Sequence, residues 1–265
     1  MSQRPGFPAK LPAAGATRTT RSPVVGLAKP SLAAHGLQPA RALAAPAVAA
    51  TAVDSGPLRA RMVSKLAAQG LQDPMVLQAM GTVERHRFVE TALAVQAYED
   101  TSLPIGLGQT ISKPNVVARM IELMREGVSG KLGRILEIGT GCGYQAAVLS
   151  HVSREVYSIE RLRGLHEKAR ENLRPFRLSN VHLLFGDGMV GYAQGAPYAA
   201  IIAAAGGDAI PQAWIDQLAV GGRLVAPTVN ASGRQNLVVV DKTATGVLRS
   251  ELEAVHFVPL KSGIA

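Results

Sequence analysis

The 265-residue chain contains one cysteine, Cys142. A lone thiol excludes an internal disulfide framework and any cysteine-rich zinc site, and it is consistent with a reducing compartment. No apolar run reaches the roughly 18 residues that a membrane span needs. Aromatic residues make up only 4% of the chain. Lys and Arg are not clustered with aromatics as a nucleic-acid-binding face would require, so no nucleic-acid partner is expected. The six histidines offer no metal-ligand spacing, so no metal is expected. Acidic residues are nearly absent from the first 56 positions, which carry Asp54 alone against six Lys and Arg. The net charge of +9 is thus partly a property of that tail.

The same 56 residues hold seven of the sixteen prolines and a single aromatic, Phe7. Such a segment cannot bury enough apolar surface to offset its ordering entropy. Residues 1–56 are expected to form a disordered, basic, Ala/Pro-rich extension. The remainder is 57–265, with a helical subregion at 57–127. With 47% hydrophobic residues overall, it has ample material for one large domain.

Leu58, Met62 and Leu66 recur every four residues and Gly70 ends the pattern, which predicts a helix over 58–69. Asp73 and Pro74 read as the N-cap and first helical position of a second helix. Residues 85–113 read as irregular. Val117, Met120, Ile121 and Met124 then mark one face of a third helix, with Ser112 placed to cap it. From Arg134 onward short apolar strands alternate with helices: 134–138, 155–159, 181–185, 198–204 and 223–227. Leu162, Leu165, Ala169, Leu173 and Phe176 form one amphipathic stripe between the second and third. This pattern predicts a mostly parallel sheet with helices on both faces. Two later strands, 236–242 and 250–260, are expected to pair antiparallel at one edge.

The segment Glu137-Ile-Gly139-Thr-Gly141-Cys-Gly143 follows the first of these strands and opens a helix. Its glycines permit a tight turn and close approach of a ligand. Ligands of such sheets sit beyond the carboxyl ends of the strands. Glu160 ends the second strand, where a carboxylate can accept from both ribose hydroxyls. Asp187, in Gly186-Asp187-Gly188, follows the third, where it can accept from an adenine amino group. These features describe an adenosine-shaped pocket. The glycine spacing departs from the G-x-G-x-x-G of dinucleotide folds, and Glu137 would repel a pyrophosphate but attract a sulfonium. S-adenosyl-L-methionine is therefore favoured over NAD. Cys142 reads as a small filler of the turn, with a reactive thiol as the alternative. Trp214 reads as a packing residue of the helix after the fourth strand.

Gly108-Gln-Thr-Ile-Ser112 followed by Pro114, the glycine segment through Leu149, and Val156-Tyr-Ser-Ile-Glu160 resemble the signatures of the protein-L-isoaspartate O-methyltransferases. So do Asn180-Val-His, Gly186-Asp-Gly188, Gly221-Gly-Arg-Leu224 and Val255-His-Phe-Val-Pro-Leu260. The resemblance spans about residues 57–260. It implies the class I methyltransferase fold, a seven-stranded Rossmann-like sheet with extra N-terminal helices. It also implies S-adenosylmethionine-dependent carboxyl methylation of L-isoaspartyl residues in damaged peptides and proteins. The product ester would collapse to a succinimide, as the first step of repair. By the same resemblance Ser112 is the active-site hydroxyl and contacts substrate. Thr110, Ile111, Gly139, Thr140, Gly141, Glu160, Asp187 and Gly188, with Glu137, belong to the cofactor pocket. Gln235 lies on the substrate side. The run Ala203-Ala-Ala-Gly206-Gly207-Asp208 departs from the family's Thr/Ala-rich stretch, which leaves another carboxylate or a small molecule as the alternative acceptor. A cytoplasmic monomer that does not associate with membranes is expected.

Overall fold

The computed structural model describes residues 54–265; the expectation of disorder over the tail falls almost wholly outside them. The first described element is helix α1 (Gly56–Ala68), which buries Met62 and Leu66. Helix α2 (Pro74–Thr82) begins as expected: Asp73 Oδ1 accepts from the Met75 and Val76 amides. Asp73 Oδ2 also accepts from the nearly buried Arg125 at 2.8 Å. Asp73→Ala removes a cap and strands a buried cation, so it should cost about 3–5 kcal/mol in chemical denaturation. A change below about 1 kcal/mol would show that Arg125 finds another partner.

The segment read as irregular contains three single helical turns, Arg85–Phe88, Thr91–Leu93 and Gln96–Tyr98. They are followed by a hairpin of β1 (Leu103–Gly106) and β2 (Gln109–Ile111). Its tip has three consecutive positive φ values, 97° at Gly106, 50° at Leu107 and 69° at Gly108. Strands this short lack the alternating run that would betray them in sequence. Helix α3 (Pro114–Arg125) buries Val117, Met120, Ile121 and Met124, each contributing about 1.5–3 kcal/mol. Its N-cap is Lys113, without a side-chain cap. Ser112 lies one residue too early, so the expected capping role is overturned.

The remaining elements are β3 (Leu132–Ile138), α4 (Tyr144–Val152), β4 (Ser153–Glu160), α5 (Arg163–Leu173) and β5 (Val181–Phe185). They are followed by β6 (Tyr198–Ala203), α6 (Gln212–Gln217), β7 (Leu218–Val229), β8 (Gln235–Thr243) and β9 (Gly246–Ala254). The sheet order is β5-β4-β3-β6-β7-β8-β9. The first five are parallel, and β8 and β9 run antiparallel to their neighbours. Alternate residues of each strand feed two apolar clusters. Ile135, Val225 and Leu237 face the cluster that holds α3 and α4, whereas Leu136, Leu224 and Val238 face Trp214 of α6. The strand order reverses between β3 and β6, which opens a crevice at the carboxyl ends of the central strands.

One expected strand is shorter than read. After Ala254 the chain leaves the edge, and Pro259 instead bridges Gly206 beyond β6. The Gly206 amide donates to Val258 O and the Leu260 amide to Gly206 O. The hydrophobic run 255–260 is therefore a cover over the crevice, not sheet.

Candidate functional site

A cavity of about 450 Å³ opens at those strand ends. The volume lies within the range of small-molecule pockets. Thr110, Ile111 and Ser112 of the hairpin line one side, and Gly139, Thr140, Gly141 and Glu160 the other. Gly188, Ala204, Ala205 and the cover residues Val258–Lys261 complete it. Segments distant in sequence thus meet at one crevice.

The glycine loop is held by its own backbone. The Gly139 and Thr140 amides both donate to Ile159 O. Gly139 has φ 90° and Gly143 φ 91°, a region that side chains disfavour. Gly143 also packs so closely on α5 that an added Cβ would meet Leu173 at 3.0 Å. Asn172 Nδ2 donates to Cys142 O, and Lys168 Nζ donates to Ile105 O. Helix α5 therefore braces both walls of the cavity.

Glu160 is only 5% exposed and is oriented by two amides: Gly141 N–H donates to Oε2 and Leu162 N–H to Oε1, each at 2.9 Å. Each oxygen keeps a lone pair for a ligand. Ser112 differs. Among the described residues its hydroxyl has no partner, while its carbonyl accepts from Arg85.

Three expected residues sit elsewhere. Glu137 does not line the cavity; it is wholly buried behind it. Ser158 Oγ donates to Glu137 Oε2, and Ser158 in turn lies 2.6 Å from Thr140 Oγ1. Thr140 is the link between this carboxyl and the cavity. Asp187 also misses the lining: Oδ1 accepts from Met189 N–H and Oδ2 from Gly263 N–H at 2.6 Å. Gly188 is the member of that turn which reaches the cavity, packed so that an added Cβ would meet Ile138 at 2.6 Å. Gln235 spends both ends of its amide on Phe257, accepting from its N–H at 2.6 Å and donating to its carbonyl at 3.2 Å. It anchors the cover and does not line the cavity.

Burial pushes the Glu137 carboxyl up to about 8, with Glu160 adding to the rise and Ser158 and Gln145 opposing it. The folded chain keeps this proton through a window, from about 4.5 to about 8, in which the unfolded chain has released it. Its stabilisation is complete below that window and is lost as pH rises through it. Unfolding free energy should fall by on the order of a few kcal/mol between those limits. Glu137→Gln, with no proton to hold, should flatten the slope in denaturant titrations at several pH values. A slope unchanged in that variant would assign the effect to another group. Burial likewise pushes the Cys142 thiol up, which fits the turn-filling reading.

Residues 58–265 match the family model described as protein-L-isoaspartate(D-aspartate) O-methyltransferase. The chain belongs to this family. It is 63% identical over 206 residues to a protein-L-isoaspartate O-methyltransferase of Methylibium petroleiphilum, covering 77% of each chain. A protein of the same name from Leptothrix cholodnii is 60% identical, over 77% of this chain and 73% of the relative. A solved protein-L-isoaspartate O-methyltransferase superposes with a TM-score of 0.69 at 28% identity, covering 78% of this chain and 67% of that one. At 22% identity and a TM-score of 0.68, the fold is also that of a Plasmodium falciparum structure described as a beta-aspartate methyltransferase in complex with S-adenosyl-L-homocysteine. That comparison covers 77% of this chain and 98% of the other.

The methyltransferase site fits an adenosyl sulfonium. A nearly buried carboxylate, Glu160, retains acceptor capacity on the cavity wall. The glycine loop is tight enough that an added Cβ at Gly141 would meet Ile105 at 3.2 Å. Several supporting residues were not legible beforehand. Trp214 does pack beneath the fourth strand, but its Nε1 also donates to Gly188 O at 2.8 Å, fixing the turn that lines the cavity. Lys168 and Asn172 lay on the polar side of an amphipathic helix, where spacing gives no signal of a bracing role.

Proposed function

We propose that this chain transfers the methyl group of S-adenosylmethionine to the free α-carboxylate of L-isoaspartyl residues in damaged peptides and proteins. The observation that carries the reading is the placement in one cavity of the preoriented Glu160 carboxylate and the Ser112 hydroxyl, unpartnered among the described residues.

When bound, S-adenosylmethionine supplies a methyl group activated on a sulfonium. Glu160 would hold the ribose hydroxyls, with the backbone of Gly139–Gly141 and Gly188 against the rest of the molecule. Thr110 and Ile111 would close the hairpin side. Ser112 would donate one hydrogen bond to the acceptor carboxylate and fix its direction. That carboxylate is already ionised at neutral pH, so no general base is required. Ser112 has no adjacent base to make it a nucleophile. The chain's contribution is alignment and exclusion of water, which together can supply several kcal/mol. Asp187, each of whose oxygens keeps a lone pair beside the amide it takes, would accept from the adenine amino group; Gln235 would act on the substrate side through the cover it anchors.

Residues 57–265 are taken as the methyltransferase domain, with 57–127 as its helical subregion. Among the described residues no helix is long and apolar enough to cross a membrane. We take the chain to be a cytoplasmic monomer without nucleic-acid or membrane partners; its lone cysteine is consistent with a reducing compartment. The reading is tested by incubating an isoaspartyl peptide with enzyme and S-adenosylmethionine and following its mass. A methyl ester should appear and decay to a succinimide. A peptide of unchanged mass in the presence of bound cofactor would contradict the assignment.

A further inference from the structure

Behind Ser112 lies a cation that forms no ion pair among the described residues. Arg85, in the single turn Arg85–Phe88, is fully buried. Its Nε donates to Ala97 O and its Nη2 to Ser112 O, each at 2.7 Å. Its Cζ lies 4.7 Å from the centroid of the Tyr144 ring, the first residue of α4 and part of the cavity wall. Nη1 is buried and has no partner among the described residues. The acid whose charge acts on it, Asp100, spends Oδ1 on the Asn115 amide and forms no ion pair with it.

Structure alone does not call for this arrangement. Burying a cation costs several kcal/mol, and an unsatisfied buried donor adds to that cost. A neutral amide side chain could bind a carbonyl without either cost. The planar fork of arginine combines what an amide or a lysine offers only in part: two donors held rigidly in one plane, a flat face to stack on an aromatic ring, and a permanent charge.

We propose that Arg85 is a positioning residue for methyl transfer, fixing the Ser112 peptide, and so the direction of its hydroxyl, while its unneutralised charge attracts the acceptor carboxylate. The inference rests on the reading of Ser112 given above. The two parts separate on substitution. Arg85→Met loses both fork and charge; Arg85→Lys keeps the charge but loses the rigid planar fork and its stacking on Tyr144.

The experiment compares kcat and KM for an isoaspartyl peptide, and S-adenosylhomocysteine affinity by calorimetry, in wild type, R85M and R85K. In R85M, kcat should fall about 30-fold or more and peptide KM should rise about tenfold, with S-adenosylhomocysteine affinity within about threefold of wild type. In R85K, KM should return close to wild type while kcat stays at least about tenfold down. Unaltered kinetics in folded R85M overturn the proposal. So does a loss of S-adenosylhomocysteine binding parallel to the loss of turnover, which would mark a purely structural residue. An R85K no better than R85M in KM removes the electrostatic part and overturns the proposal as stated.

Should R85M lose its cooperative unfolding transition, wild-type enzyme labelled with 15N-arginine decides. The Arg85 Nε–H resonance, recognised by its proximity to the Tyr144 ring, should shift when isoaspartyl peptide is added to enzyme saturated with S-adenosylhomocysteine. It should not shift with the same peptide amidated at the α-carboxyl. Equal responses to both peptides, or to neither, overturn the proposal. Wild-type enzyme that leaves the isoaspartyl peptide unmethylated would sink the functional reading and this inference together; active wild type with indifferent R85M sinks this inference alone.

Discussion

Glu160→Gln is expected to weaken S-adenosylhomocysteine binding by on the order of 100-fold or more, measured by calorimetry. Two effects add. A carboxylate that accepts from two ribose hydroxyls contributes roughly 1.5–3 kcal/mol for each charge-assisted hydrogen bond. The second effect comes from the chain itself. Both carboxylate oxygens already take a backbone N–H, from Gly141 and Leu162. Whichever way the Gln amide sits, its NH2 faces one of those donors. The glycine loop or the start of α5 must then give way, and Gly141 is part of the cavity wall. Affinity within about threefold of wild type would show that Glu160 serves the loop and not the ligand.

Ser112→Ala is expected to act on the other half of the reaction. Turnover of an isoaspartyl peptide should fall about 10- to 100-fold, the worth of one hydrogen bond to a charged group. S-adenosylhomocysteine affinity should be unchanged. Folding should also be unchanged, because Lys113 and not Ser112 occupies the N-cap of α3. This separates the two readings of Ser112 that spacing left open. A lost cap would show as lost stability; a lost orienting hydroxyl shows as lost turnover alone. Equal turnover in S112A and wild type would remove Ser112 from the mechanism.

Periodicity made the sheet legible. Continuous apolar runs such as Tyr198–Ala203 have one stable place, between neighbours with both faces covered. The Asp73-Pro74 start of α2 was equally plain because cap chemistry is local: donor and acceptor lie two and three residues apart. The cavity was half legible for the same reason. A glycine loop and the acid at the next strand end are placed by the strands themselves, so Gly139, Gly141 and Glu160 converge as read.

What spacing could not show is which distant groups these side chains meet. Asp187 was read as accepting from an adenine amino group; that Gly263, 76 positions later, also gives it an amide is a contact no local spacing signals. Gln235 was placed on the substrate side, yet Phe257 absorbs its whole amide. Glu137 alternates correctly along β3, but the face it occupies is closed by neighbouring elements, so burial and not a ligand sets its ionisation. Strand propensity in 255–260 was real in composition, but the edge it would extend is abandoned for the bridge to Gly206. Arg85 gave no signal at all. A charged residue in a polar, irregular stretch reads as solvated, and only tertiary packing shows it sealed beneath Ser112.

The central claim is that the cavity aligns the α-carboxylate that an isoaspartyl linkage leaves free and an ordinary aspartyl linkage does not. The most direct measurement gives the enzyme radiolabelled S-adenosylmethionine and two peptides of one sequence, differing only in whether the aspartate is linked through its side chain or its main chain. Base-labile label should enter the isoaspartyl peptide and leave the aspartyl peptide at background. Equal labelling of the two, or labelling of neither by enzyme that binds the cofactor, would contradict the account.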